Sequence, residues 1–433
     1  MFSDVFMKIG SIVAIVIAAV VILAGGMIYY VYGPMTSDVV DVDIPSDDDE
    51  LVPLGNMTFE DAVNAFGFEL FAELYAAEEG NIFMSPYSIF TALAMTYEGA
   101  RGQTADEMSS VLNVLQDNAS FHAYVQHMYE LFNQENLEYN LSTANALWVQ
   151  QNFALLEEYL SVIRTFYGGE ATEVDFGNAV VAAGIINSWV ENQTNGLIED
   201  LVPVDAISPM TALILTNAIY FKGVWEIQFD PVNTSDRSFA TGAGEDVMVP
   251  TMQMVDTHDR FRYTETDEVQ VLELPYTGDD VAMVIALPKE GDVSDILADL
   301  DNDLLGEWMG SLYKTELDIY LPSFKVESSY SLVGFLASLG MQIPFQSTAD
   351  FSGITGAKDL FISDVLHKAF VEVNEEGTEA AAATAVIMEL TATPGEEPER
   401  IVFDCDHPFL YMIQHRETGT VLFMGVMENP SAD

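Results

Sequence analysis

Residues 371–399, VEVNEEGTEAAAATAVIMELTATPGEEPE, restrict the fold more than any other stretch of the chain. Residues 369–373 alternate in the period-2 manner of a strand. Glu375, Glu376, Gly377, Thr378 and Glu379 form a flexible joint at a glycine, and Ala380, Ala381, Ala382, Ala383 and Thr384 follow. A second apolar stretch runs to Leu390, and a Pro-Gly, acidic tail closes at Glu399. Ala and Glu are strong helix formers, so local propensity reads 379–386 as a helix. Period two reads it as a strand. Thr378, Ala380, Ala382, Thr384, Val386 and Met388 then share one side, and Glu379, Ala381, Ala383, Ala385, Ile387 and Glu389 the other. The first set is small at its start and uncharged throughout, so it could slide between two existing strands and be buried.

The remaining chain is long and apolar enough to hold a sizeable core: 433 residues, 49% hydrophobic and 11% aromatic, one large domain or two ordinary ones. Its 69 acidic against 14 basic residues leave a net charge of −55. A polyanionic partner would be repelled, which excludes nucleic acid. Such charge often means disorder, but the aromatic and branched apolar content contradicts that and leaves a folded body with an acidic shell. Screening at about 1 M salt, where the Debye length is roughly 3 Å, would remove the self-repulsion, so a salt-rich, halophilic archaeal setting is expected. The single Cys405 excludes an internal disulfide framework and reads as a small core residue.

Lys8 precedes an uncharged run, 9–32, that spans roughly 36 Å as a helix, enough for a bilayer. Ala24-Gly25-Gly26 offers a cleavage site for a secretory signal, but apolar residues continue past it, and Tyr29, Tyr30 and Tyr32 suit an interfacial belt. An uncleaved anchor is favoured over a cleaved signal. Residues 1–8 are then a short cytoplasmic tail, 33–57 an acidic linker containing Asp47-Asp48-Asp49-Glu50, and 58–430 a body on the extracellular side of the membrane.

Within the body, Thr58 and Asp61 fit a capping start to a helix. NIFMSPYS, 81–88, turns into a second helix with Ser85 at the N-cap and Pro86 in the first turn. Helices are also expected at 108–115, 121–132, 153–166, 179–192 and 333–339, and strands at 141–149, 247–252, 269–275, 281–288 and 317–324. ALILTNAIYF, 212–221, is a nearly continuous apolar strand, buried on both faces. Asn217 inside it must find partners, because an unpaired buried amide costs about 1–3 kcal/mol. No G-x-S-x-G, H-E-x-x-H, Walker loop or C-x-x-C occurs, so neither catalytic machinery nor a cofactor is expected. Asp404, Cys405, Asp406 and His407 sit in an expected strand whose alternate side chains diverge, which argues against a metal site. N-x-S/T sequons at Asn56, Asn118, Asn140, Asn192 and Asn233 permit glycans only in a host that adds them.

Several stretches, in order over 58–430, resemble the serpin family. EEGTEAAAAT at 375–384 is similar to its hinge and reactive-centre loop. NIFMSPYS, with GARGQT at 99–104, is similar to its N-I-F-x-S-P-x-S helix and the A-R-G-x-T continuation. LTNAIYFKGVW at 215–225 is similar to L-x-N-A-x-Y-F-K-G-x-W. The resemblance implies an α+β fold with a large central mixed β-sheet, additional sheets, about eight to nine helices and an exposed loop at 375–399. It implies a serine-type endopeptidase inhibitor, a monomeric suicide substrate for a subtilisin-, chymotrypsin- or elastase-like enzyme, supplying no catalytic residue itself. The hinge is Glu375 to Thr384. Family spacing from Gly377 places the scissile bond at Thr391–Ala392, with Leu390 or Glu389 as flanking alternatives. Ser85, Ser88, Asn217, His367 and Trp225 correspond to the region where the central sheet opens, His367 being the partner of Asn217. The family's basic residue after Leu-Pro is Ser323 here, and Lys325 stands in as the expected partner of Glu375. A non-inhibitory serpin, or a membrane-anchored surface binding protein, is the alternative.

Overall fold

The computed structural model describes residues 57–114, 118–133, 138–255, 257, 260–378 and 400–432. The apolar run 9–32, the linker up to residue 56, and the loop from Glu379 to Glu399, including Thr391 and Ala392, lie outside the described residues.

Reciprocal capping starts helix α1 (Phe59–Ala77). The Thr58 hydroxyl accepts the Asp61 N–H at 3.1 Å, and the Asp61 carboxylate accepts the Thr58 N–H at 3.2 Å. The chain continues through β1 (Ile82–Met84), α2 (Pro86–Tyr97), α3 (Gly102–Val111), α4 (Asn118–Phe132), β2 (Tyr139–Gln150), α5 (Glu157–Phe166), β3 (Glu170–Val174), α6 (Ala179–Gln193) and β4 (Leu213–Val224). Then come β5 (Ser235–Ala240), β6 (Asp246–Met254), β7 (Phe261–Glu265), β8 (Val269–Pro275), β9 (Val281–Pro288), α7 (Val293–Asp299), α8 (Asn302–Ser311), β10 (Tyr313–Thr315), β11 (Leu317–Pro322) and β12 (Phe324–Ser331). The last elements are α9 (Val333–Ser338), α10 (Ser352–Thr355), β13 (Ile362–Asn374), β14 (Gly377–Thr378), β15 (Ile401–Asp404), β16 (Phe409–His415) and β17 (Val421–Met427). Ten helices are thus described, against the eight to nine expected; α9 and α10 are the two shorter than seven residues.

Three sheets organise these strands. The largest has seven, in the order β1-β17-β16-β9-β8-β7-β10; a second has four, β15-β11-β6-β5; the third has six, β12-β13-β14-β4-β2-β3. The six-stranded sheet is mixed, with β4 parallel to β13 and antiparallel to β2. It is covered on both faces, so β4 reads as an unbroken apolar run. On one side, Phe221 of β4 meets Phe423 of β17, and Phe324 of β12 meets Tyr411 of β16. On the other, α6 packs Ala182, Ala183, Ile186 and Val190 over Ile214, Ala218 and Leu366. Helix α2, buried throughout its length, lies under the sheet.

Several expected boundaries move, and four of the shifts bear on the reading. The helix placed at 108–115 is α3, which begins at Gly102 with no side-chain cap to announce it. The helix placed at 153–166 begins at Glu157, because the preceding Leu156 N–H is bonded to the Ile354 carbonyl at 2.8 Å. The strand at 317–324 is two strands in two sheets. It breaks at Ser323, whose N–H donates to the Pro250 carbonyl at 2.9 Å as the chain crosses from β11 to β12. Finally, β15 stops at Asp404, so Cys405, Asp406 and His407 lie beyond the strand. Among the described residues no group of three or more His, Cys, Asp or Glu could hold a metal ion, and no helix is long and apolar enough to cross a membrane. Cys405 is buried, and burial pushes its thiol well above the ordinary range.

Candidate functional site

The seam between β4 and β13 carries two clusters. The lower one is centred on Asn217, which lies opposite His367 in the parallel register. His367 Nδ1–H donates across the seam to Asn217 Oδ1. The other ring nitrogen, Nε2, accepts the Ser85 backbone N–H at 3.2 Å. A backbone N–H can only donate, so this contact fixes the neutral tautomer with its proton on Nδ1. Burial lowers the His367 pKa to about 3. The Asn217 amide donates to Ser88 Oγ and to Asn145 Oδ1. Ser88 Oγ in turn reaches Asn145 Oδ1 at 3.3 Å, and Ser85 Oγ donates to the Leu422 carbonyl at 2.5 Å while capping α2 through the Ser88 N–H. The cluster thereby ties β2, β4, β13, α2 and β17 together, and any parting of β4 from β13 at this level breaks the His367–Asn217 bond.

The upper cluster is the loop base, where the joint expected to be flexible at Gly377 is held within the sheet. Glu375 and Glu376 form a turn, and Gly377 and Thr378 return as β14, already seated between β13 and β4. Thr378 lies opposite Val373 on one side and Gly223 on the other; Gly377 lies opposite Asn374 and Val224. Only glycine fits position 377. Its φ is +155°, and a Cβ there would stand 2.1 Å from the Gly223 carbonyl oxygen. Asn374 Oδ1 accepts the N–H groups of Glu376 and Gly377 at 3.0 and 3.2 Å. Trp225 Nε1–H donates to the Asn374 carbonyl at 2.9 Å, and the Trp225 N–H to the Glu376 carbonyl at 2.9 Å. The Thr378 hydroxyl meets the Tyr276 hydroxyl at 2.6 Å.

The structure thus brings Ser85, Ser88, Asn217 and His367 into one network and assigns Trp225 to the loop base, roughly 26 Å further along the strand. The expected Lys325–Glu375 pair is replaced. Glu375 accepts the Thr234 hydroxyl at 2.6 Å, and Lys325 lies opposite Glu372 with its ammonium 5.1 Å from the Phe370 ring. Two members escape a sequence reading. Asn145 carries the same signal as Asn217, a polar amide in an apolar strand. Tyr276 carries none, since an aromatic after a proline marks nothing but a strand end.

This geometry, a mixed sheet whose parallel seam is entered at one end by the start of an alanine-rich loop, has counterparts. A family model described as Serpin (serine protease inhibitor) matches residues 61–430. The chain belongs to the serpin family. An uncharacterized serpin-like protein of Thermococcus kodakarensis is 45% identical to it over 371 residues, 85% of each chain. The leukocyte elastase inhibitor of Bos taurus is 41% identical over 361 residues, 81% of this chain and 93% of that one. Among solved structures, Serpin48 of the insect Tenebrio molitor superposes with a TM-score of 0.77 at 33% identity, covering 87% of this chain and 100% of that one. The α+β architecture of this serpin is the one its sequence motifs imply.

Proposed function

We propose that this serpin is a serine-type endopeptidase inhibitor acting as a suicide substrate. The observation that carries the reading is the seat of Gly377 and Thr378 between β13 and β4. The sheet is parted where the loop leaves it, and the residues that follow in sequence are small. A protease serine attacks the loop and forms an acyl-enzyme. Cleavage frees the amino-terminal arm, which lengthens β14 down the seam. Counting the ladder on from Thr378↔Gly223 brings Ala380 and Ala382 onto the buried face and Thr384 level with Asn217 and His367. A threonine hydroxyl there can take up the hydrogen bonds that those two side chains lose to each other. Glu379, the one charged residue in 378–386, comes level with Lys222 on the outer face.

Insertion of roughly 13 residues at about 3.3 Å each carries the acyl-linked protease some 40 Å. About a dozen new ladder bonds at about 0.5–1.5 kcal/mol each release on the order of 10 kcal/mol, enough to distort a catalytic site before water completes hydrolysis. The scissile bond in this reading is Thr391–Ala392, with Leu390 and Glu389 as the alternative residues before the cut. The name of the bovine relative, an elastase inhibitor, supports the class of target. The apolar run 9–32 holds the body, a monomer, on the outer face of a membrane, and its acidic shell suits a salt-rich medium.

Incubation with subtilisin-, chymotrypsin- and elastase-like proteases tests the reading. A covalent complex that survives SDS, with release of a fragment whose amino terminus marks the scissile bond, is expected. Plain cleavage by every enzyme, without complex, would refute inhibition.

A further inference from the structure

The Tyr276 hydroxyl makes its hydrogen bond with Thr378 Oγ1, at 2.6 Å, and both side chains are fully buried. The phenol cannot follow Thr378 if β14 withdraws. Its ring stacks on Trp225 at 4.5 Å and meets Phe221 edge-on at 5.0 Å, while its backbone N–H donates to the Val281 carbonyl at 3.0 Å. Burial also holds its pKa well above the ordinary range, so the group stays a hydroxyl. Withdrawal of β14 would therefore leave a buried phenol O–H with no partner, a state more costly than the bond is favourable.

The surrounding backbone is built for close approach at this point. A Cβ on Gly223 would meet Tyr276 Cδ1 at 2.8 Å, and one on Gly377 would meet the Gly223 carbonyl. The phenol thus reaches Thr378 across two glycines, and only when Thr378 lies opposite Gly223. That condition matters because a one-residue slip of a strand turns every side chain to the opposite face.

We propose that Tyr276 is a positioning residue for loop insertion. It holds Thr378 in the seam of the uncleaved chain, so that insertion lengthens an existing strand in a fixed register and need not open the seam afresh. The proposal rests on the insertion mechanism given above. Starting a strand between two others orders several residues before any ladder bond repays them, whereas adding to one gains a bond with each residue ordered. Tyr276 removes the first of these steps.

Three variants test it. Tyr276→Phe and Thr378→Val each delete one hydroxyl and strand the other; the double variant deletes both and leaves an apolar pair. A stranded hydroxyl is costly, while removing both partners is close to neutral, so the singles are expected to be impaired and the double restored. Hydrogen exchange of 374–378 and 220–224 in the uncleaved chain should quicken about tenfold in each single variant and return towards the parent in the double. After nicking of the loop by subtilisin, the gain in heat stability should appear several-fold more slowly in the singles, and the stoichiometry of inhibition should rise. A merely structural role for Tyr276 would leave the double variant as impaired as Tyr276→Phe, and that outcome overturns the proposal. So do single variants that exchange and insert as the parent does. If the unaltered chain gains no heat stability on cleavage, the insertion mechanism falls and the proposal with it. A gain in the parent matched by both singles overturns the proposal alone.

Discussion

His367 is a base held where it cannot act as one. Its Nε2 faces the Ser85 N–H and its Nδ1–H is given to Asn217, so a second proton has no site. The folded pKa of about 3 lies below the ordinary histidine value of 6.5, so the unfolded chain takes up a proton first as pH falls. The ring's contribution is intact above pH 6.5 and is lost downward from there at about 1.4 kcal/mol per pH unit. The imidazole should therefore show no NMR titration between pH 5 and 8. The first denaturant transition should lose more stability from pH 7 to pH 5 in the parent than in His367→Gln, a comparison in which the carboxylates cancel. Equal slopes would mean that the ring titrates normally. Thr384→Arg and Thr378→Arg bear on insertion at the same scale. A charge buried on insertion should turn an inhibitor into a substrate. Thr378 is already buried, so Thr378→Arg should also loosen the uncleaved chain, whereas Thr384→Arg should act only after cleavage; unchanged inhibition by both would exclude insertion. The sequence made Asn217 legible because a polar side chain in an apolar strand demands a partner, whereas His367 was reached only through the resemblance to the family's histidine. Asn145 made the same demand from β2. Tyr276 was illegible because its role depends on two glycines from distant strands meeting under it, and the Glu375 partner was misassigned because the register of β12 on β13 sets Lys325 opposite Glu372, three residues before Glu375 in the turn that follows β13.

Elements were legible where one pattern prevailed. β8 and β9 fall on the expected residues because a continuous apolar run bounded by turn signals leaves little choice. α3 was misplaced because its polar start and uncapped Arg101 look like a turn. β14 could not be read at all. Two residues of strand have no period, and their seat is created by the pairing of β13 with β4. That seat yields a prediction about the element as a whole. Gly377→Val should expel β14, since its branched side chain would overlap the Gly223 carbonyl; faster exchange in 374–378 and slower insertion are the expected signs. In the unaltered chain, cleavage within 379–399 should raise the midpoint of thermal unfolding by roughly 10 °C, from an insertion energy on the order of 10 kcal/mol spread over the unfolding entropy of a body this size. An unchanged midpoint after complete nicking would argue that the arm stays out.

At the scale of the whole molecule the net charge of −55 opposes the compact state, and hydrophobic burial has to overcome it. The basic residues are too few to neutralise the shell, and some serve inside it: Glu273, 1% exposed, takes Arg262 at 3.3 Å and Arg416 at 3.1 Å. Salt does little to a buried pair of that kind, but it acts strongly on exposed carboxylates. The Debye length falls from about 10 Å at 0.1 M to about 3 Å at 1 M. The native state should therefore gain stability steeply between these concentrations of KCl, and the gain should shrink as pH falls and the carboxylates protonate. Sucrose at matched osmolality separates screening from exclusion of solute: it also favours burial but leaves charges unscreened. A thermal midpoint that rises with KCl well beyond its rise with sucrose is the expected result. Equal midpoints at low and high KCl would mean that the acidic shell is already neutralised or too dispersed to matter, and a salt-rich setting would lose its physical basis.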